Sequence, residues 1–473
     1  MKRWARVSLK ILGGLLLGVV TLAAAWAAFN NRLVDDAPRP VPEALRVPAP
    51  TLPPERNAVF ALLGLAEAGD DPHAAGLRRW AAMDAGAIAS LPASSRKWPA
   101  SETRQPASKA WGCDPQTTDC VAVWMQEADA LRALTAAHAD IGRRCEAVAQ
   151  TGMAIDEPMI TPSAELKTAG QLYIRRATLL PWQTTVNCLR WLHLRSALAG
   201  QSGDRAAMLT LVKQADALTG AMLDGTNTLI GVNVAGAMAR RHWRVVTDLA
   251  AAYPAAAPEL RAMLRPMSAR AADTSRWIRT EANFGREAVR EYACMDLGAD
   301  ASAMSADSPF HCEPRFWAMP NATQHLLDKY WLQAEAKSGG GALNMLDWEP
   351  DPSADWALGF PWRNSIGGTL VAVAAPGFPI YVRKQASLML LNEAARLALA
   401  AGDVEPAKRA AWLTQQPMDA RLRERLAIDG EHVVARLWAP VSSEDTLRYR
   451  IPSGATSAAT VTGSNPDSSP TKS

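Results

Sequence analysis

Residues 388–413 read LMLLNEAARLALAAGDVEPAKRAAWL, and this stretch decides the fold class. Leu388, Leu391, Ala394, Ala395, Leu397, Ala398 and Leu399 recur at spacings of three and four, which lines them along one helix face. Ala401-Gly402-Asp403 interrupts the pattern, and Ala407, Ala410, Ala411 and Leu413 resume it. Gly402 suits the left-handed residue that closes a helix. Asp403 can then cap the exposed N–H groups of the next helix, with Pro406 in its first turn. The stretch predicts an αα-hairpin. The same grammar recurs at Leu192–Lys213, around Ser202-Gly203-Asp204, and at Ala61–Trp80, around Gly69-Asp70-Asp71-Pro72.

Each hairpin resembles a single unit of tetratricopeptide-like proteins, but the hairpins are not in tandem and no sustained period of about 34 residues appears. Strand signals are sparse, the best being Leu447–Ile451, where apolar residues alternate with Arg. The expectation is a mainly α protein: an N-terminal transmembrane helix, then a compact all-α body of non-tandem hairpins. With 473 residues, 48% hydrophobic and 21% charged, the chain is no disordered polymer. Its formal charge of +3 offers no strong field to recruit nucleic acid.

Outward from the hairpins, the amino terminus sets the compartment. Residues 1–10 carry Lys2, Arg3, Arg6 and Lys10, and residues 11–29 are uncharged. Nineteen residues at 1.5 Å each extend about 28 Å, close to the hydrocarbon thickness of a bilayer. The basic flank comes first, so the amino terminus is expected in the cytoplasm and the main body in the periplasm, held to the inner membrane by one span. Ala23, Ala24, Ala25 and Ala27 also offer signal-peptide cleavage sites. The apolar run continues through Trp26, Ala28 and Phe29, which favours a retained anchor. Residues 30–56 are proline-dense and read as an extended spacer, 57–451 as the helical body, and 452–473 as a disordered tail. The uncharged stretch from Asn364 to Val382 contains Gly367, Gly368, Pro376, Gly377 and Pro379, and reads as a buried helix ending at a turn rather than a second span.

Six cysteines lie beyond the span, and an even number in an exported chain reads as disulfides. Nearest-neighbour pairing gives Cys113–Cys120, Cys145–Cys188 and Cys294–Cys312. A metal site would need Cys-x-x-Cys or closely spaced His, and neither occurs. No metal or other cofactor is expected.

The chain lacks the G-x-S-x-G, H-E-x-x-H, G-x-x-x-x-G-K-[ST] and G-x-G-x-x-G signatures. Four clusters carry residual chemistry. Asp70, Asp71 and His73 could share a proton, or simply cap a helix. Ser94-Ser95-Arg96-Lys97 matches S-x-x-K, but the run is polar and precedes Pro99 where that chemistry needs Ser at a buried helix start, so the match reads as chance. His311-Cys312-Glu313 has metal donors too close in sequence to converge. Glu281, Glu287 and Glu291 lie on a predicted helix with Arg279, Arg286 and Arg290; two such carboxylates can hydrolyse a sugar bond, but alternating charge usually marks a solvated face. The weak catalytic candidates are therefore Asp70, Asp71, His73, Glu281 and Glu287. Tryptophan is abundant, 17 against 7 Phe and 6 Tyr. Trp348, Trp356 and Trp362 either line a binding surface or fill the core.

The runs Arg56-Asn57-Ala58 through Asp71-Pro72-His73-Ala74-Ala75-Gly76, Met319-Pro320-Asn321-Ala322-Thr323, Arg363-Asn364-Ser365-Ile366-Gly367 and Leu447-Arg448-Tyr449-Arg450 resemble a group of Gram-negative bacterial proteins. These have one amino-terminal span and a largely helical periplasmic region. The resemblance implies location and fold and brings no activity with it. The functional expectation is a non-catalytic interaction module of the cell envelope that binds another envelope protein through helical grooves. The alternative is an envelope hydrolase acting on glycan or peptide through paired carboxylates.

Overall fold

The computed structural model describes residues 2–84, 96–100, 105–150, 153–157, 182–294, 318–339, 341–349, 363–441 and 444–452. They are mainly helical. Helix α1 (Lys2–Phe29) has 28 residues and reaches about 42 Å at 1.5 Å per residue. From Gly13 to Ala25 every residue is exposed, so this shaft stands clear of the body.

The body begins with α2 (Ala58–Leu63), α3 (Pro72–Asp84), α4 (Pro106–Trp111), α5 (Cys120–Gln126), α6 (Ala128–Ala137) and α7 (Ala139–Gln150). Three long helices follow, α8 (Trp182–Gln201), α9 (Arg205–Gly225) and α10 (Leu229–Ala252). Then come α11 (Ala257–Met263), α12 (Ala269–Ala272), α13 (Ser275–Cys294), α14 (Pro320–Ser338), α15 (Ser365–Ala374), α16 (Pro379–Ala401), α17 (Arg409–Thr414) and α18 (Ala420–Arg423). Helix α10 is central, with α8, α9, α13 and α16 packed around it. The core runs through Leu192, Val212, Leu218, Val246, Leu249 and Leu391, and small Ala394, Ala395 and Ala398 let the helices approach closely.

Two predicted hairpins form as read. Between α8 and α9, Gly203 takes φ +81°, and the Asp204 carboxylate accepts the Ala207 N–H at 2.9 Å. Between α2 and α3, Gly69 takes φ +103°. Here the helices touch backbone to backbone: a Cβ on Gly76 would lie 1.7 Å from the Phe60 carbonyl oxygen, and one on Gly64 1.8 Å from that of Pro72.

The 388–413 hairpin differs from its reading. Its second arm is a 3-10 turn, Pro406–Lys408, followed by the six-residue α17. Gly402 stays right-handed at φ −59°, and Asp403 pairs with Arg261 instead of capping. The Pro452 carbonyl passes 3.1 Å from the position of a Gly402 Cβ, so glycine serves close approach there rather than handedness.

The all-α expectation needs a correction. The body closes with an antiparallel three-stranded sheet in the order β1 (Leu426–Asp429), β2 (His432–Val441), β3 (Glu444–Arg450). Leu426 pairs with Ala435, Asp429 with His432, and Val433 with Tyr449. Along β2, Val433, Ala435, Leu437 and Ala439 are buried and alternate with more exposed residues, the period that seats one sheet face on α16. Gly430, at φ +58°, makes the β1–β2 turn.

The proline-dense segment is a strap rather than a spacer. Leu45 is fully buried in the core, and the Leu45 carbonyl accepts from Asn283 Nδ2 at 2.8 Å. The 364–382 stretch forms α15, a 3-10 turn at Ala375–Gly377 and the start of α16, with the turn where the prolines place it. By length and composition Ser365–Ala401 could cross a membrane, yet α15 alone reaches only about 15 Å and most of α16 lies in the core. Helix α15 is only part buried: Gly367, Gly368 and Val371 face inward, while Leu370 and Val373 are exposed.

Candidate functional site

Two of the cysteine pairs read from the sequence are bonded, Cys113–Cys120 and Cys145–Cys188. The first closes the loop before α5, and the second ties α7 to α8. Cys294–Cys312 falls outside the described residues, as do Ser94, Ser95, His311, Glu313, Trp356 and Trp362. Trp348 is buried, with its ring 5.3 Å from that of Tyr330, so it fills the core. Trp111, Trp124, Trp191, Trp277 and Trp331 are buried too, which gives the tryptophan excess a packing role.

The acidic turn before α3 is a cap. Asp71 accepts the His73 N–H at 2.8 Å, and His73 Nε2 sits 3.0 Å from the Pro54 carbonyl oxygen. The Asp70 side chain is fully solvent-exposed, 3.8 Å from Arg96. No hydrogen bond or ion pair among the described residues joins this turn to Glu281 or Glu287 on α13.

Helix α13 is not the solvated face its charges suggest. It is sandwiched between α10 and α14, so its charged side chains meet partners across the interface. Arg286 is buried in a two-pronged pair with Asp328, one prong at 2.8 Å, and Arg279 pairs with Glu335 at 2.9 Å. Glu281 turns the other way, accepting the Leu229 N–H at 3.0 Å.

That contact places Glu281 at the start of α10 beside a carboxylate that sequence reasoning missed. Glu157 is fully buried and accepts from Asn227 N at 2.6 Å, Thr228 N at 2.8 Å and Thr228 Oγ1 at 2.7 Å. Burial raises both carboxyl pKa values, and Glu157 adds to the rise at Glu281. Opposite them, Arg276 donates to the Leu223 and Asp224 carbonyls at 3.0 and 2.6 Å, and Arg270 donates to Asp224 at 2.7 Å. Acids meet the positive end of α10 and cations the negative end of α9, which satisfies both helix termini at one corner.

In front of this corner opens a cleft of about 840 Å³ between the strap at Val47–Thr51, α13 and the end of α14. Asp156 lines it and accepts from Thr51 N at 2.6 Å and from Asn227 Nδ2 at 3.1 Å. Neither Glu157 nor Glu281 lines the cleft. The walls carry Asp156, Asp273 and Glu335 against Arg270, Arg276 and Arg279, so their charges balance.

A second polar feature crosses the core. His193 Nε2 lies 3.1 Å from His242 Nδ1, and His242 Nε2 lies 3.3 Å from Asp216. Both rings are buried and stacked, and burial, followed by His242, Arg241 and Arg190, holds the His193 pKa well below its ordinary value. A neutral His193 can donate from Nε2 to His242 Nδ1, while His193 Nδ1 and His242 Nε2 have no hydrogen-bond partner among the described residues. Isolated His residues in apolar helices gave no sequence signal for it. Among the described residues no group of three donors could hold a metal ion.

At the base of α1 a collar joins shaft to body. Trp26 Nε1 donates to Ser365 Oγ at 2.9 Å, and the Ser365 N–H donates to Asn30 Oδ1 at 2.7 Å. Asp35 accepts the Asn321 and Ala322 N–H groups, both at 3.0 Å, and so caps α14. Asp36 binds Arg363 at 2.5 Å and His325 at 2.8 Å; against the opposing effect of burial, these two hold its pKa below the usual carboxylate range. Around the collar Phe29, Leu33, Leu370 and Val373 are exposed. Searches of protein-family models, curated proteins and solved structures give no match to this chain.

Proposed function

We propose that the chain is a non-catalytic interaction module of the cell envelope, anchored in the inner membrane by residues 11–29. Its amino terminus faces the cytoplasm, its body lies in the periplasm, and it belongs with the Gram-negative envelope proteins it resembles. The observation that carries this reading is the shaft of α1. Leu15, Leu16, Leu17, Val19, Val20 and Leu22 are each 57–68% exposed, an apolar surface that water penalises and a bilayer accommodates. The collar then clamps the body to the end of that shaft. Exposed Phe29, Leu33, Leu370 and Val373 extend the apolar surface around it, so the body rests against the lipid. Two disulfides suit an oxidising compartment.

The interaction surface in this reading is the cleft beside the strap, where balanced charge favours a polar segment of another envelope protein. Against the hydrolase alternative, Asp71 and Glu281 are engaged as helix caps, and Glu281 does not line the cleft.

Fractionation tests the reading. The full chain should pellet with membranes, resist carbonate extraction, and become protease-sensitive once the outer membrane is permeabilised. Deleting residues 2–29 should release a folded soluble body. Recovery of the intact chain in a washed cytosolic fraction with free thiols overturns it.

A further inference from the structure

On the flank of the body opposite in character to the balanced cleft, a cavity of about 400 Å³ opens between α10 and α16. Arg240, Arg241 and Lys384 line it, and Asp114 is its one lining carboxylate. Asp114 sits 3.6 Å from Arg241 and also accepts the Gln116 N–H at 3.1 Å, so it is shared. Arg240 has no hydrogen bond or ion pair among the described residues, and its Nε is buried without a partner. Arg241 Nη1 is likewise buried and unpartnered. Lys384 rests its ammonium over the Tyr381 ring at 4.9 Å. Behind them Arg190 stacks over Trp111 at 5.4 Å, its own Nε unpartnered.

This arrangement is unfavourable as it stands. A partly buried cation without a counter-charge loses hydration and gains little in return. Burial accordingly lowers the pKa of Arg240 and Arg241, and burial together with Arg241 pushes that of Arg190 down to about 10. Yet the cations stay clustered on consecutive positions of α10 and across from it on α16. Three lining cations less one carboxylate leave two positive charges, which matches the near-dianionic charge of a phosphomonoester. Unpartnered guanidinium N–H groups suit its oxygens. Met238, Leu388 and Leu391 form an apolar wall for whatever the phosphate is attached to.

We propose that the cavity between α10 and α16 binds a phosphomonoester through Arg240, Arg241 and Lys384, with the organic part against Met238 and Leu388. The proposal is independent of how the chain is anchored.

The test uses the full chain in neutral detergent at fixed ionic strength, with glycerol 3-phosphate in solution and with phosphatidic acid in phosphatidylcholine vesicles as probes. The wild type should bind at least one of them, and Arg240→Gln/Lys384→Gln should weaken that binding at least tenfold. Because the double variant removes two positive charges from a cluster of like charge, it should melt no lower than the wild type without ligand, which separates lost binding from lost folding. Binding of glycerol 3-phosphate assigns a soluble ligand, and binding of phosphatidic acid alone assigns a lipid headgroup. Equal binding by wild type and variant, or no binding of either probe by the wild type, overturns the proposal.

Discussion

The backbone N–H of Ser365 donates to the side chain of Asn30 at 2.7 Å, so a residue at the foot of α1 caps a helix 335 positions away. Asn364, which precedes α15, is left-handed and makes no cap of its own. Asn30 therefore supplies what α15 lacks. Removing a cap costs about 1 kcal/mol. In Asn30→Ala, hydrogen exchange at the first amides of α15 should rise roughly fivefold, with the α8–α9 hairpin unchanged. Unaltered exchange at residues 365–368 would show that the cap is not what orders this helix.

Asp35 does the same for α14, accepting two of its first N–H groups. A carboxylate there also meets the positive helix end, so Asp35→Ala should lower stability by about 1–2 kcal/mol, and Asp35→Asn by less. Denaturant midpoints of the two variants check the order. Equal losses would mean that charge contributes nothing.

Glycine replacements should split sharply by position. A Cβ on Gly76 would fall inside the Phe60 carbonyl, and neither helix backbone can yield without parting α2 from α3. Gly76→Ala should cost about 3 kcal/mol or more. Gly220, inside α9, has open space where a Cβ would go, and Gly220→Ala should stabilise by about 1 kcal/mol. Melting temperatures moving in the same direction would refute the packing of the first hairpin.

The two disulfides should also differ. Cys145–Cys188 spans 43 residues and Cys113–Cys120 spans 7. Loop-entropy arithmetic gives about 4 kcal/mol for the longer and about 2.5 kcal/mol for the shorter. Paired Cys→Ala variants should lose stability in that order, and the reverse order would point to native-state contributions of the short loop.

What the sequence revealed and what it concealed follow one division. Local grammar was legible: Gly203-Asp204 and Gly69 marked their turns, apolar spacing marked the helices, and cysteine order marked two bridges. The Asp429-Gly430 pair is an equally local turn signal, and it makes the β1–β2 hairpin although helical patterns surround it. Contacts made at long range were not legible. Charges on α13 look solvated in sequence because nothing there reveals that Asp328 and Glu335 on α14 will face Arg286 and Arg279. Glu157 meets Thr228 71 positions away, and His193 meets His242 across 49. Such partners are set by which helices pack together, and a single sequence carries no local record of that choice.

Asp248 offers a pH signature of this long-range packing. Its carboxyl is buried on α10 against the sheet, 3.1 Å from Arg244, with Asp119, Tyr449 and Arg450 nearby. Burial pushes its pKa from 3.8 up to about 7, with Asp119 adding to the rise and Arg244 and Arg450 opposing it. Between those two values the folded chain keeps a proton that the unfolded chain has released. The contribution is therefore full below about pH 4, shrinks as pH rises, and is gone above pH 7. At 1.36 kcal/mol per unit, going from pH 5 to pH 8 removes about 3 kcal/mol. His193 and His432 act in the opposite sense: burial first, then His242 and nearby arginines for His193 and nearby arginines for His432, hold their pKa values low, so the folded state loses stability below about pH 6.5. The wild-type profile mixes the two, and the decisive quantity is its difference from Asp248→Asn, which keeps the histidines. That variant should gain about 3 kcal/mol relative to wild type between pH 5 and pH 8 in urea denaturation, and a difference constant across that range would mean that Asp248 is already ionised in the folded chain.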